Sequence, residues 1–191
     1  MRGDARTTDR GSDDAGAGRR LLLVHGPRVC DQVGPGLAAH GFVVRVAHTA
    51  ADALRVAAVE PPPFAVIALR LPDESGLRLI PALRVVDHAM RIVMLTGYPS
   101  IETAVEAIKL GAVHYLVRPA RPERIVAALF RSDGDPDVAV RERPMSVKRI
   151  AWEYVHHVLQ ENDGNVSATA RALAIDRRTL QRKLRKHPVS A

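Results

Sequence analysis

Two periodicities alternate along residues 19–131. Short apolar runs, typical of buried strands, are each followed by a stretch with apolar residues at helical spacing. The runs lie at 21–24, 42–47, 64–69, 91–95 and 113–117, and the helical stretches at 28–40, 49–59, 76–87, 101–109 and 122–131. The pattern predicts an α/β domain with a doubly wound, five-stranded parallel sheet covered on both faces. The site of such a domain lies at the carboxyl ends of its strands.

A different pattern begins at residue 146. Residues 146–161 are predicted to form one amphipathic helix, and residues 165–186 two short helices joined by a tight turn. In the second short helix, Leu180 and Leu184 are four residues apart and therefore share one face. Its other positions are mostly cationic. An apolar stripe opposite a cationic face, placed after a turn, predicts a small all-α helix-turn-helix domain whose last helix enters the DNA major groove.

Three details of this region carry further expectations. Asp176 precedes the last helix and is a candidate N-cap. Ala170 and Ala174 are small enough for the crossing of the two short helices. Asn165 and Ser167, at the start of the first short helix, have two interpretations, as helix caps or as contacts to DNA.

Composition indicates the boundaries between these regions. Residues 1–18 mix both charge signs with Gly, Thr and Ser and show no apolar periodicity, which predicts a disordered tail. Residues 132–145 are rich in Asp, Arg, Gly and Pro, which predicts a linker. The expected order is therefore a tail at 1–18, an α/β domain at 19–131, a linker at 132–145 and a helical domain at 146–191.

Charge favours a nucleic-acid partner. The 191 residues carry a formal net charge of +7, and from residue 146 onward nine cations stand against four anions. The single cysteine, Cys30, is expected to be a small, partly buried helix residue without a disulfide or metal role. No apolar run reaches the length of a membrane span and no signal peptide is recognisable, so we expect a cytoplasmic protein that does not contact membranes.

Several strings resemble a known family. The strings HGF, LRLPDESGL, LTGY and KLGAVHYLVRPA resemble a response-regulator receiver domain, which has a flavodoxin-like fold. The strings NVSATARAL and RRTLQRKL resemble the Fis-type helix-turn-helix. With MSVKRIAWEYVHHVLQENDGNVSATARAL, almost the whole chain resembles the ActR/PrrA/RegA group of two-domain response regulators. The resemblance implies a role in two-component, phosphorelay signal transduction and transcription regulation.

The resemblance also implies a receiver pocket, and this chain departs from it. The position of the phosphoryl-accepting carboxylate holds Ala68, and the acidic pair that helps to bind a divalent cation is replaced by His25 and Gly26. The lysine position holds Arg118, and only Thr96 matches the family pattern. We therefore predict a pseudo-receiver with no catalytic residue, metal ligand or cofactor site.

Four residues near this pocket have alternative interpretations. Asp73 and Glu74 are the nearest substitute carboxylates, but they lie several residues beyond the third strand. His25 could be a metal ligand or phosphoryl acceptor, or only a loop residue with one hydrogen bond. Tyr115 matches an aromatic that acts as a rotamer switch in receivers, or it is ordinary packing.

The helix-turn-helix interpretation assigns DNA contacts to the last helix. Arginine can bind guanine bidentately and glutamine can pair with adenine, so we expect three arginines and one glutamine of this helix to contact base edges. These residues are Arg177, Arg178, Gln181 and Arg182. Contacts to phosphates are expected from Thr179, Lys183 and Arg185, with Ser167 and Thr169 as further candidates. Because one helix-turn-helix buries a small interface, specific binding suggests a homodimer on paired half-sites of double-stranded DNA.

Two functions compete at this point. The first is a sequence-specific DNA-binding transcription regulator that acts without phosphorylation at the usual position. The second is an interaction adaptor whose pseudo-receiver binds a sensor kinase or another regulator. An enzyme finds no support, because the sequence shows no nucleophile–base pair, metal cluster or phosphate-cradling glycine loop.

Overall fold

The structure is a computed structural model that describes residues 19–131, 133–134, 147–162 and 164–185. The predicted tail at 1–18 and nearly all of the predicted linker lie outside the described residues, as do residues 186–191. The chain divides between Asp133 and Gly134 into two compact units. This division falls inside the segment predicted as a linker.

A five-stranded sheet forms the centre of the first unit. Its strands are β1 Arg19–Val24, β2 Phe42–Ala47, β3 Phe64–Ala68, β4 Arg91–Thr96 and β5 His114–Val117. The strand order is β2-β1-β3-β4-β5, and every neighbouring pair is parallel. The predicted doubly wound sheet is confirmed. The order reverses between β1 and β3, so a crevice at their carboxyl ends is the place where such folds hold a site.

Helices cover both faces of this sheet. They are α1 Pro27–Ala39, α2 Ala50–Val59, α3 Gly76–Val86, α4 Ile101–Lys109 and α5 Pro122–Phe130. Leu22 and Val24 of β1 belong to one apolar cluster, with residues of α2 and α3, whereas Leu21 and Leu23 belong to another, with residues of α1 and α5. Because successive strand residues point to opposite faces, β1 is buried on both sides, as its unbroken apolar run predicts.

Hydroxyl side chains fix the start of three helices at the carboxyl edge of the sheet. Thr49, Ser75 and Ser100 each accept a hydrogen bond from a backbone N–H in the first turn of α2, α3 and α4 respectively. Each bond satisfies an N–H that has no partner inside its helix. The loops that follow β2, β3 and β4 are therefore held at the helix end as well as at the strand end.

The described part of the second unit contains three helices, α6 Val147–Glu161, α7 Val166–Ala172 and α8 Arg177–Leu184. One residue from each helix is buried in a shared cluster: Val155, Ala170 and Leu180. The predicted helical region after the sheet domain is confirmed. Within the described residues, no helix has both the length and the apolar character needed to cross a membrane.

The turn between α7 and α8 contains one residue in the left-handed conformation. Ala174 has a φ of 51°. Its N–H donates to the carbonyl of Arg171 at 3.1 Å, and the N–H of Ile175 donates to the carbonyl of Ala170 at 3.0 Å. The expectation that Ala174 lies at the helix crossing is wrong, because Ala174 is exposed. Ala170 is buried against α8 residues instead.

Candidate functional site

The carboxyl ends of four strands bring the predicted pocket residues to one edge of the sheet. His25 follows β1, Ala68 is the last residue of β3, Thr96 is the last residue of β4, and Arg118 follows β5. Only 8% of His25, 3% of Ala68 and 4% of Thr96 is exposed, so the bottom of this pocket is closed. Gly26 is exposed, and a Cβ built on it meets no atom within 4 Å, so the pocket is open above β1.

His25 has a defined tautomer and orientation. The N–H of Gly26 donates to His25 Nδ1 at 2.8 Å, so the proton of the neutral ring is on Nε2. Burial, and after it the positive charge of Arg118, lower the pKa of His25 to about 4, although the carbonyl of Leu95 acts in the opposite direction. Leu95 belongs to β4, two strands from β1, with β3 between them. The imidazole therefore lies near the carbonyl of Leu95, the β4 residue that pairs with Ala68 of β3.

This hydrogen bond favours the interpretation of His25 as a loop residue with one hydrogen bond. A nitrogen that carries a proton has no lone pair with which to attack a phosphoryl group or bind a metal, and the other nitrogen already accepts the Gly26 N–H. Among the described residues, no group of three or more His, Cys, Asp or Glu side chains could hold a metal ion. The divalent cation of working receivers needs oxygen ligands, and His25, Gly26 and Ala68 offer no carboxylate. The residues present do not fit that cation.

The end of β3 is fixed by a close contact with α3. Strand β3 ends at Ala68, one residue earlier than predicted. The N–H of Gly76 donates to the carbonyl of Leu69 at 2.8 Å, and a Cβ on Gly76 would lie 1.9 Å from the carbonyl oxygen of Ala68. Only glycine permits this approach. The position of Ala68 therefore depends on Gly76, which the sequence reasoning did not single out although the string LRLPDESGL contains it.

Asp73 is held away from the pocket. Its two carboxylate oxygens accept hydrogen bonds from the N–H groups of Ala50 and Ala51 at the start of α2, each at 3.0 Å. These bonds lower the pKa of Asp73. A carboxylate at a helix N-terminus is also favoured by the helix dipole. Asp73 therefore tethers the loop after β3 to α2, which explains its presence without a role as a substitute acceptor.

A second contact missed from the sequence joins the loops after β3 and β4. The guanidinium carbon of Arg70 lies 4.7 Å from the ring centroid of Tyr98, which is a cation–π distance. The N–H of Tyr98 in turn donates to Thr96 Oγ1 at 3.1 Å. Because the two loops are 28 positions apart in sequence, no local pattern indicates that they touch.

Tyr115 makes one specific polar contact. Its hydroxyl lies 2.9 Å from Thr103 Oγ1 on α4, and its half-buried ring packs against the apolar cluster under α2 and α3. This contact links β5 to α4. These contacts agree with the interpretation of Tyr115 as ordinary packing, and its role as a rotamer switch stays a prediction.

The last helix separates apolar and cationic faces as predicted. Leu180 is fully buried and Leu184 packs on the same cluster. Arg178 and Arg182 are each two residues from Leu180, which places them about 160° around the helix from it. The predicted contact residues exposed to solvent are Arg177, Arg178, Gln181, Arg182, Lys183 and Arg185, whereas Thr179 is half-buried. Within the described residues, these cations form no salt bridge, so they are available to an anionic partner.

The residues at the start of α7 and α8 test four expectations, on Asn165, Ser167, Thr169 and Asp176. Asn165 Oδ1 accepts from the N–H groups of Ser167 and Ala168, both at 3.0 Å, which confirms the cap interpretation for Asn165. Thr169 is fully buried and donates its hydroxyl proton to the carbonyl of Asn165 at 2.8 Å, so it is not a phosphate contact. Ser167 is half-buried and does not itself cap α7. Asp176 occupies the N-cap position of α8, but its side chain makes no capping bond.

Comparison with known proteins places both units in families. The family described as response regulator receiver domain matches residues 26–130, and the one described as bacterial regulatory protein, Fis family, matches residues 153–187. The fold, the strand-end pocket and the helix-turn-helix agree with these matches. The chain belongs to the response regulators, and it joins a receiver domain to a Fis-type helix-turn-helix.

Two similar proteins and one similar structure extend over nearly the whole chain. The chain is 42% identical to the acid tolerance regulatory protein ActR of Rhizobium meliloti (strain 1021), over 92% of this chain and 90% of that protein. It is 40% identical to the photosynthetic apparatus regulatory protein RegA of Cereibacter sphaeroides, over 91% and 94%. A crystal structure of a response regulator protein from Burkholderia pseudomallei, with a phosphorylated aspartic acid, calcium ion and citrate, is 40% identical. It covers 88% of this chain and 99% of that chain, with a TM-score of 0.58. The predicted resemblance to the ActR and RegA group is confirmed.

Proposed function

We propose that this response regulator is a sequence-specific, dimeric transcription regulator whose receiver acts without phosphorylation at the usual position. DNA binding by the Fis-type helix-turn-helix follows from the family. The finer proposal concerns what the receiver has lost and which residues contact DNA.

The observation that carries the proposal is Ala68 at the end of β3. The structure from Burkholderia pseudomallei contains a phosphorylated aspartic acid, whereas a methyl group offers no oxygen to accept a phosphoryl group. The neighbouring strand end supports the same conclusion, because His25 and Gly26 replace the acidic pair. Asp73, one of the nearest candidates for a substitute carboxylate, is hydrogen-bonded to the start of α2.

The test is phosphoryl uptake from a small donor. The full chain is incubated with radiolabelled acetyl phosphate and Mg²⁺, with the Burkholderia pseudomallei response regulator as the positive control. We expect label on the control and none on this chain. We also expect DNA affinity to be the same before and after the incubation. Label on this chain that is stable to acid and labile to base, as expected of an acyl phosphate, would contradict the proposal.

One observation favours the adaptor alternative. Helix α4 exposes Ile101, Val105 and Ile108 at spacing i, i+4 and i+7, with 86%, 45% and 49% of each side chain exposed. Such an apolar stripe is typical of a protein–protein contact. Changing all three residues to serine should abolish binding of a regulator or kinase if the chain is an adaptor. If the chain is an adaptor, the unchanged protein should also bind DNA weakly and with little sequence preference.

A further inference from the structure

We propose that the amino edge of the receiver sheet is a second surface for double-stranded DNA, and that it binds phosphates through Arg19 and Arg91. The amino edge is the side on which the strands begin, opposite the receiver pocket. The inference goes beyond the proposed function, because it gives the receiver a DNA contact of its own. It rests on DNA binding by the Fis-type helix-turn-helix, which follows from the family.

An aromatic cluster lies at the amino edge. It contains all three phenylalanines of the chain: Phe42 at the start of β2, Phe64 at the start of β3 and Phe130 at the end of α5. Their ring centroids are between 5.2 and 6.3 Å apart. Because 45% of Phe130 is exposed, the cluster presents an aromatic ring to solvent.

Two guanidinium groups are anchored at this end of α5. Arg19, the first residue of β1, is exposed, and its guanidinium carbon lies 5.1 Å from the ring centroid of Phe130, a cation–π distance. Arg91, the first residue of β4, is half-buried and donates from Nε to the carbonyl of Leu129. Because Leu129 and Phe130 are consecutive, the two guanidiniums are held at neighbouring points. Side chains that are already held lose less conformational entropy on binding.

No carboxylate of the described residues neutralises these two arginines. Neither of them forms a salt bridge within that part of the chain, and Arg91 Nη2 is buried without a hydrogen-bond acceptor. Glu60, which follows α2, is shared by Arg20 and Arg45 instead. A phosphate group supplies the negative charge that both guanidiniums lack.

The overall charge of the receiver favours the same kind of partner. Residues 19–131 contain 14 cations against nine anions, a surplus as large as the one from residue 146 onward. A positive surface attracts a polyanion whatever its sequence. After α5 the chain continues to the DNA-binding unit, so a duplex bound by α8 is present at high effective concentration for the receiver. An acidic protein would match the charge, but the chain has no unit of its own that recruits one.

The test is the salt dependence of affinity for a long random-sequence duplex, measured on full-length variants by fluorescence anisotropy. Arg19→Gln should lower the slope of log affinity against log salt by about 0.9 per protein copy, because one phosphate contact is lost. At physiological salt this corresponds to about fivefold weaker binding per copy. Arg91→Gln should act in the same way, whereas Arg19→Lys keeps the charge and should keep the slope. Circular dichroism verifies the fold, and the exposed Arg19 keeps the test decisive if Arg91→Gln does not fold.

Arg124→Gln is the matched control, because Arg124 is an exposed cation in the first turn of α5, whereas Phe130 ends that helix. It should change neither affinity nor slope. The inference is overturned if Arg19→Gln behaves like Arg124→Gln, as it would if this edge bound an acidic protein. It is also overturned if Arg124→Gln lowers the slope as much as Arg19→Gln, because net charge alone would then explain the effect. Neither result affects the proposed function, which is tested by phosphoryl uptake and by variants of α8.

Discussion

His25 lies at the position where the family resemblance implies an acidic residue, and its buried ring is neutral near pH 7 because its pKa is lowered to about 4. Carboxylates at both positions would repel each other unless a cation lay between them. A neutral imidazole beside a methyl group has no such repulsion. At the residue scale, the two replacements are therefore consistent with each other and with the proposed loss of phosphorylation, because this pair needs no cation to offset a repulsion.

The buried His25 should make the stability of the receiver sensitive to pH. Its pKa is lowered from 6.5 to about 4 by burial and by Arg118, so between these pH values the unfolded chain binds a proton that the folded chain excludes. The free energy of unfolding should therefore fall by about 3 kcal/mol as the pH is lowered from 7 to 4. Urea denaturation followed by circular dichroism, repeated between pH 7 and pH 4, measures this change in the free energy of unfolding.

His25→Asn is the control for this pH dependence. The amide oxygen can still accept the Gly26 N–H, but the side chain does not titrate. The variant should be less stable than the unchanged protein at pH 7, and the difference should shrink towards pH 4. A difference that stays constant with pH would show that His25 is not responsible.

Arg178 and Lys183 should contribute to DNA binding in different ways. Arg178 lies opposite the buried face of α8 and is expected at base edges, so Arg178→Ala should cost ~1–3 kcal/mol on the preferred sequence and little on random DNA. Lys183 lies on the flank, so Lys183→Ala should weaken binding to all sequences and lower the salt slope by about 1. Fluorescence anisotropy with preferred and random duplexes measures both effects.

Arg124→Ala on α5 is the control for general loss of positive charge, and it should change neither affinity nor salt slope. Equal loss of affinity on preferred and random DNA in both α8 variants would contradict the division into base and phosphate contacts.

At the scale of elements, the helix-turn-helix depends on a turn that its sequence does not favour. Ala174 holds a φ of 51°, a conformation that glycine adopts without strain and that other L-residues rarely adopt. The two hydrogen bonds that end α7 keep the residue in this conformation. This turn connects α7 to α8, the helix that carries the cationic face.

Ala174→Gly should stabilise the second unit. Removing the left-handed conformation of alanine should raise the free energy of unfolding by about 1–2 kcal/mol. The greater conformational entropy of the unfolded chain with glycine should lower it by ~0.4–1 kcal/mol. We therefore expect a net stabilisation of roughly 0.5–1 kcal/mol. Thermal unfolding followed by Trp152 fluorescence, the single tryptophan of the chain, reports on this unit.

The matched control for the turn is Ala172→Gly, at the exposed last residue of α7. It should destabilise the same unit by about 0.5–1 kcal/mol, because glycine is unfavourable within a helix. Destabilisation by Ala174→Gly of the same size would contradict the argument from backbone strain.

At the scale of the whole molecule, charge and function are divided between two units. Nine of the cations lie from residue 146 onward, whereas the receiver pocket combines one guanidinium with neutral donors. One helix-turn-helix presents only a short row of cations, including Arg177, Arg178 and Arg182. Affinity useful in a genome therefore calls for two copies on one site.

The proposed dimer can be tested with half-sites. Deleting one of two half-sites about one helical turn apart should lower affinity strongly and reduce the salt slope by about half, because half of the phosphate contacts are lost. Light scattering of the free and DNA-bound protein should show two copies on the full site. A single copy on the full site, with the salt slope unchanged by the deletion, would contradict the dimer.

Local patterns in the chain were enough to predict the five strand–helix repeats, the class of sheet and the cationic face of α8. These features are local, because a period of two or 3.6 residues can be recognised within a short window whatever its surroundings. The replacement of a carboxylate by Ala68 is also visible in the chain alone.

The way in which distant residues combine depends on the fold. The fold buries His25 at the end of β1, joins Asp73 to the start of α2 by hydrogen bonds, and buries Thr169, which the sequence had suggested as a phosphate contact. Each outcome depends on neighbours in space that come from separate segments. A hydrogen bond or an unsatisfied donor is a property of those neighbours, and no periodicity within one segment encodes it.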